Sequence, residues 1–517
     1  MPSTDSLNVQ DPPRRLSGVL RHIGPGFILA GALVGSGELI ATTATGAESG
    51  FTLLWLIILG CIVKVFVQVE IGRHTITHSE SSLQALNGVP GPRLRIPGLS
   101  AHGPVLINWI MVCWLLMFTA TMFLFGGIIG GIGQSLAMTV PLTEQGRTYN
   151  DYQNLSVGLS IRETEFAASS NPETKEKLST EIDEFQRQLA NLEEPTRPYD
   201  DRYWASIVTL LTILILYFGR YRFIETFSIV LVGSFTLITI YNLVELQRHS
   251  GWAISSGELF AGLRFGLPEA GAGRNPMITA LATFGIIGVG ASDLVAYPYW
   301  CLEKGYARWT GVNDGSEAWV GRAKGWLRVL QWDAWSACIL YTFTTVAFYL
   351  LGAAVLGRIG LVPEGSEMVR TLSAIYEPVF GAAAQLLFLF GAIAVLYSTF
   401  FIGNAGHCRL ATDAVRVMNF VGDHEDTRRR WMKASAIVLP LLCVTTYYTV
   451  GSPVFLVIVG GIAQALLLPM VAFAALFFRH RRCHPDLKPS PAWDLLLGVS
   501  FVAFTVIGLY LVYVNLS

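Results

Sequence analysis

Residues 24–50 read GPGFILAGALVGSGELIATTATGAESG, and the reading of this stretch decides the fold. It is apolar for long enough to enter a bilayer, yet Gly35, Ser36 and Gly37 interrupt its middle and Glu38 follows at once, where a charge is costly. An unwound segment at membrane depth survives only if its freed N–H and C=O groups face protein, a cavity or a ligand, because lipid cannot satisfy them. Discontinuous helices of this kind are the usual binding element of transporters.

Composition agrees with a membrane setting. The chain has 517 residues, 52% of them hydrophobic and 14% charged, against about a quarter charged in soluble domains. A formal net charge of −1 supplies no basic field for nucleic acid. Seven cysteines stand singly, without a C-x-x-C pair, and read as buried small apolar side chains. The first 22 residues are polar and lack the apolar core of a signal peptide, so residues 1–22 are expected to be a cytoplasmic tail.

Apolar runs of spanning length fall near 23–48, 51–72, 103–138, 203–219, 223–245, 276–300, 329–357, 376–405, 432–450, 452–478 and 493–515, which predicts about eleven helices. With the N-terminus cytoplasmic, the clusters Arg14/Arg15/Arg21, Arg220/Arg222, Arg322/Lys324/Arg328, Arg428/Arg429/Arg430 and Arg479/Arg481/Arg482 fall on the inner side. The expectation is an integral protein of a plasma or inner membrane. One long polar connection, residues 142–202, should be extracytoplasmic. Within it Asn171-Pro172 starts a helix, and Leu178, Ile182, Phe185, Leu189 and Leu192 form a heptad-like stripe that needs a partner. That partner is either the chain itself, capped by the helix, or a second subunit docked through residues 171–194. Asn154-Leu155-Ser156 matches a glycosylation sequon, a three-residue signal too common to weigh.

The third span carries Gly126, Gly127, Gly130, Gly131 and Gly133, but no strand precedes them, so they read as close helix packing rather than a nucleotide loop. With no P-loop, H-E-x-x-H or G-x-S-x-G pattern, the chain reads as a non-enzyme with no cofactor beyond its cargo. The sixth span, ITALATFGIIGVGASDLVAYPYW, repeats the peculiarity of the first: Gly285, Gly288 and Gly290 loosen it, Ala291-Ser292 follow, and Asp293 adds a second carboxylate. Paired interruptions five spans apart predict an all-α polytopic fold, a 5+5 inverted repeat of the LeuT-like kind. Residues 23–245 then form the first repeat, 276–478 the second, and 493–515 an added helix.

Two carboxylates beside unwound carbonyls suit a hard divalent cation such as Mg²⁺ or Mn²⁺. Glu38 and Asp293 would supply charge, Ser36 and Ser292 neutral oxygens, and Gly35, Gly37 and Gly290 the freedom to unwind. Lys64, mid-way along the second span, is a charge partner for Glu38, a fixed cation in place of a coupling ion, or a snorkelling side chain. Glu70 lies about two turns beyond it. Tyr297, Pro298, Tyr299 and Trp300 read as an interfacial aromatic belt and a kink. His22, His74, His78, His407 and His424 fall near predicted span ends or in loops, so no proton relay is signalled.

At these residues the chain resembles the NRAMP family of divalent metal transporters. Gly24-Pro25-Gly26-Phe27 is similar to the family's opening GPGF, and Phe51-x-Leu53-Leu54-Trp55, Gln68 and Arg73 are similar to its second span. Asp333, Tyr397-Ser398-Thr399 and Leu468-Pro469 also match in order. The signature departs from the pattern: the family's Asp-Pro-Gly-Asn is Gly35-Ser36-Gly37-Glu38 here, and its Met-Pro-His-Asn is Gly290-Ala291-Ser292-Asp293, with Tyr297 where the second histidine stands. The resemblance implies a broken-helix cation carrier; the lost methionine implies a shift from soft metals toward hard ions. Gly-Ser-Gly in the first span also resembles the broken helix of amino-acid transporters, so a small organic solute is the competing cargo.

Overall fold

The computed structural model describes residues 9–97, 100, 104–169, 171–218, 221–249, 251–268, 275–363, 368–380, 383–422 and 424–516. Arg220 lies outside them, as do the side chains of Ser36 and Arg222 and the surroundings of Gly35. Nine described helices are long and apolar enough to cross a membrane. The segmented first span and the helix Tyr221–Leu246 bring the bundle to eleven. Large apolar side chains such as Leu210, Phe343, Phe390, Leu441, Val502 and Leu509 point outward, as a lipid-facing perimeter requires.

The two interruptions take different forms. The first span is one rod in three parts, an α-helix Pro25–Leu33, a π-helical stretch Val34–Thr42 and an α-helix Thr43–Ser49. The interruption falls on the expected residues, but the backbone widens instead of unwinding. A π turn keeps its hydrogen bonds within the chain, and Gly37 has no room to bow outward, since a Cβ there would lie 3.1 Å from the Ile286 carbonyl oxygen. The sixth span does open. Its first half, Pro276–Ile286, starts at an Asn275 cap with Pro276 in the first turn. Ile287 then turns extended, Gly288 takes a φ of +61°, and a second half runs Ala291–Lys304.

The packing carries the repeat. The second span, Leu54–His78, lies on the seventh, Glu317–Leu351; the third, Trp109–Thr139, on the eighth, Ala384–Val417; and the fourth, Asp200–Phe218, on the ninth, Glu425–Val450. The third also packs on the tenth, Pro453–Phe477, and the mirrored pair, eighth with fifth, packs as well. These are the contacts of two five-helix halves in opposite senses. The third-span glycines serve helix approach: a Cβ on Gly127 would lie 2.5 Å from the Pro453 carbonyl oxygen. The eleventh helix, Pro491–Leu516, seals the second span, where Ser500 donates to the Val63 carbonyl at 2.7 Å.

Several helices outrun their apolar cores. The seventh begins at Glu317, the eighth reaches Val417 and the ninth begins at Glu425. Hydropathy marks only the part in lipid, whereas these charged turns form one end of the bundle. There Arg482 donates to the Gly88 carbonyl, Arg409 pairs with Glu303, and Trp326 donates to Gln10 of the N-terminal segment. Before the third helix the expected span start at 103 is instead a two-stranded antiparallel ribbon, Arg93–Ile96 with Val105–Asn108.

The long connection is a helical hairpin. Glu144–Ala168, not foreseen from sequence, precedes the expected helix Pro172–Ala190, which Asn171 caps. The stripe turns onto this preceding helix of the same chain: Leu178 is buried and the Phe185 ring lies over Gly158. Asp200 clasps the hairpin's base by accepting from the Leu142 and Thr143 amides.

Gly285 tests the central packing, because a Cβ there would collide with the Gly461 carbonyl and lie 2.7 Å from the Ala465 nitrogen. Gly285→Val should lower the melting temperature of the purified protein or abolish its folded yield, an overpacking cost of about 1–3 kcal/mol. Gly498→Ala, where nothing lies within 4 Å, should leave both unchanged.

Candidate functional site

The widened turn of the first span meets the opening of the sixth. Glu38, the residue after Gly37, is fully buried, and its Oε1 accepts from the Gly288 amide at 3.4 Å. The Thr345 hydroxyl lies 3.2 Å from the same oxygen and 2.6 Å from the Tyr341 carbonyl, so its single proton is shared. The other carboxylate oxygen, Oε2, is buried with no partner among the described residues. Thr45 and Thr283, hydroxyl to hydroxyl at 2.7 Å, tie the two rods together on one side of this point.

Beyond Gly288, Gly290 opens the second half of the sixth span and Asp293 stands in its first turn, partly exposed, with its carboxylate turned back toward the Gly290 backbone. A carboxylate is favourable at a helix N-terminus. Ala291 is buried beside it. Ser292 is engaged by the tenth span: its amide and its hydroxyl both lie 3.3 Å from Gln464 Oε1. Gly290 leaves room for this contact, since a Cβ there would lie 2.5 Å from that oxygen and push the Gln464 amide away.

Lys64 completes the centre. It is wholly buried, and its ammonium donates to the carbonyls of Phe284 at 2.5 Å and Ile287 at 2.7 Å, the open end of the first half of the sixth span. It lies within electrostatic reach of both Glu38 and Asp293 but forms no direct ion pair with either among the described residues. The thiol of Cys61, one turn earlier on the same helix, lies against Gly288, so the surroundings are not oxygen alone. Among the described residues no three His, Cys, Asp or Glu side chains gather as a ready metal cluster. The arrangement is a buried carboxylate and a buried ammonium, with a second, partly exposed carboxylate, around an opened helix.

Two sequence candidates belong elsewhere. Glu70 pairs with Arg73 at 3.1 Å and accepts from Trp493 at 2.7 Å, fixing the second span to the eleventh helix. Distance along a helix places it near Lys64 but does not say which neighbour its face meets. Tyr297 is no interfacial belt residue, because the sixth span runs through the middle of the bundle. Its hydroxyl donates to Asp333 at 2.8 Å, and Asp333 also accepts from the Gly24 and Gly26 amides, each at 2.6 Å. Tyr299 and Trp300 likewise face protein, donating to Asp413 and stacking on Arg409. His74 and His407 are also buried; the extended eighth helix places His407 between Phe118 and Phe125, on the third span.

Thr345, Tyr341, Gln464 and Cys61 were not singled out from sequence. Tyr341 and Thr345 stand four apart in an apolar run and Gln464 is an amide in another, which was the signal available.

The Asp333 junction joins the start of the first span to the second half of the sixth. Tyr297→Phe removes one hydrogen bond to a carboxylate, a loss of about 1.5–3 kcal/mol. In a background with the other six cysteines replaced by serine, it should speed labelling of Cys61 by a membrane-permeant thiol reagent roughly ten-fold or more.

Among curated protein sequences no match is found. Solved structures of a manganese transporter from Eremococcus coleocola share the fold. A single-site variant superposes with a TM-score of 0.59 at 14% identity, over 97% of this chain and 88% of that one. The same transporter in complex with an aromatic bis-isothiourea substituted compound gives 0.59 at 14% identity, over 98% and 90%. The family model described as natural resistance-associated macrophage protein-like matches residues 192–514, more than half of the sequence. The chain therefore belongs to the Nramp family.

Proposed function

We propose that the protein is a secondary transporter that carries a hard divalent cation, Mg²⁺ or Mn²⁺, through the gap between the π segment of the first span and the opening of the sixth. The observation that carries this reading is the Oε2 of Glu38, buried with no partner among the described residues, while Lys64 lies within electrostatic reach of both Glu38 and a second carboxylate, Asp293. A buried anion with unmet lone pairs is costly unless a cation reaches it. Glu38 and Asp293 supply the charge, Ser36 and Ser292 neutral oxygens, and Gly35, Gly37 and Gly290 the backbone freedom at the two interruptions. Family membership and the manganese transporter that shares the fold support the same reading. The N-terminus lies on the cytoplasmic side, where the arginine-rich helix ends gather, and one helical bundle rocks against the other around the site.

Lys64 favours a second reading. Within electrostatic reach of both carboxylates, its ammonium would offset one of their two charges, which also suits the ammonium group of an amino acid or other small organic solute.

Uptake into proteoliposomes decides between them. Glu38→Gln keeps the shape and removes the charge, and should cut Mn²⁺ and Mg²⁺ uptake by roughly 100-fold, the cost of breaking a buried charge contact. Unchanged uptake in this variant removes Glu38 from the path. Uptake of labelled amino acids without metal flux selects the second reading.

A further inference from the structure

The opened end of the sixth span is the kind of place where transporters hold a coupling ion. The last carbonyls of a helix lack partners inside it and carry the negative end of its dipole. In discontinuous transmembrane helices such carbonyls coordinate a mobile cation. Here Phe284 and Ile287 point two of these oxygens at one spot, and the Lys64 ammonium fills it at 2.5 and 2.7 Å. The face of the Phe284 ring lies 5.1 Å from the same nitrogen, a further contact that favours a cation.

The backbone is shaped for this reach. Gly60 lets the second span lie directly against the sixth, since a Cβ there would come within 2.9 Å of the Phe284 ring and 3.0 Å of Ile287. Gly288 does the same from the other side, against the Cα of Cys61. The charged neighbours are Glu38 from the first span and Asp293 from the sixth; the other titratable groups are Cys61 on the same helix and Cys338 and Tyr341 from the seventh. Lys64 thus stands within electrostatic reach of the Glu38 and Asp293 carboxyl groups, held by a helix end and, among the described residues, not by a direct ion pair.

We propose that Lys64 is a tethered substitute for an alkali coupling ion: its ammonium permanently occupies the carbonyl cradle at the break of the sixth span, so that the transporter works without Na⁺ or K⁺. Only the uptake measurement below rests on the metal-transport reading. The stability measurement stands apart from it.

The test compares wild type with Lys64→Ala, which empties the cradle, and Lys64→Met, which keeps the bulk and loses the charge. Each is purified and placed in matched NaCl, KCl and choline chloride. Wild type should show the same melting temperature and the same Mn²⁺ uptake in all three. Lys64→Ala should melt lower in choline, recover on addition of Na⁺ or K⁺, and regain uptake several-fold in the same medium. Lys64→Met should stay low throughout. An alkali-dependent wild type overturns the proposal, as does a Lys64→Ala protein indifferent to both ions. If Lys64→Ala does not fold in choline, its folded yield on extraction in NaCl or KCl replaces the melting temperature, and no recovery there overturns the proposal. Ion-dependent melting of Lys64→Ala with no Mn²⁺ uptake by wild type sinks the metal reading and leaves this one standing.

Discussion

A helix opened inside an apolar bundle leaves carbonyl groups that lipid cannot satisfy, and the centre of this molecule is arranged around meeting that demand. Lys64 answers two of them from the second span. The Gly288 amide, freed by the same opening, turns to Glu38 on the first span. One interruption thus fixes three helices relative to one another, and the close passage of Gly37 past Ile286 leaves the first span room to widen but not to open.

The same economy of helix ends recurs at the Asp333 junction. The N-terminus of the first span offers two amides, Gly24 and Gly26, and the Asp333 carboxylate takes both while accepting the Tyr297 hydroxyl. Negative charge at a helix N-terminus is favourable without any further partner. The third bond adds the second half of the sixth span to the seventh. Both discontinuous rods are therefore anchored by charged side chains borrowed from neighbours, one cation and one anion, at opposite kinds of helix end.

Much of this was legible in the sequence because a charge in an apolar run has few explanations. Glu38, Lys64 and Asp293 stood out on that ground, and all three come to the same centre. The form of each interruption was not legible: Gly-Ser-Gly and Gly-Val-Gly look alike, and whether glycine turns widen or open depends on what lies across from them. Glu70 was equally conspicuous, yet its face of the helix meets Arg73 and Trp493, a matter of rotation that spacing alone leaves open. Helix ends past the bilayer, at Glu317 and Val417, carry no hydropathy signal at all.

The C-terminal part of the first span, Thr43–Ser49, is in backbone contact with the seventh span, where Gly46 abuts the Tyr349 carbonyl and Gly352 abuts Thr43. Its N-terminal part, Pro25–Leu33, is held at its tip by the Asp333 junction. The rod is thus welded at one end and latched at the other, with the π turns in between. Wide turns trade hydrogen-bond partners among neighbouring carbonyls more readily than regular ones, which makes this stretch the natural articulation of the molecule. The Glu38 carboxylate stands within this wide stretch, between the latched arm and the welded one.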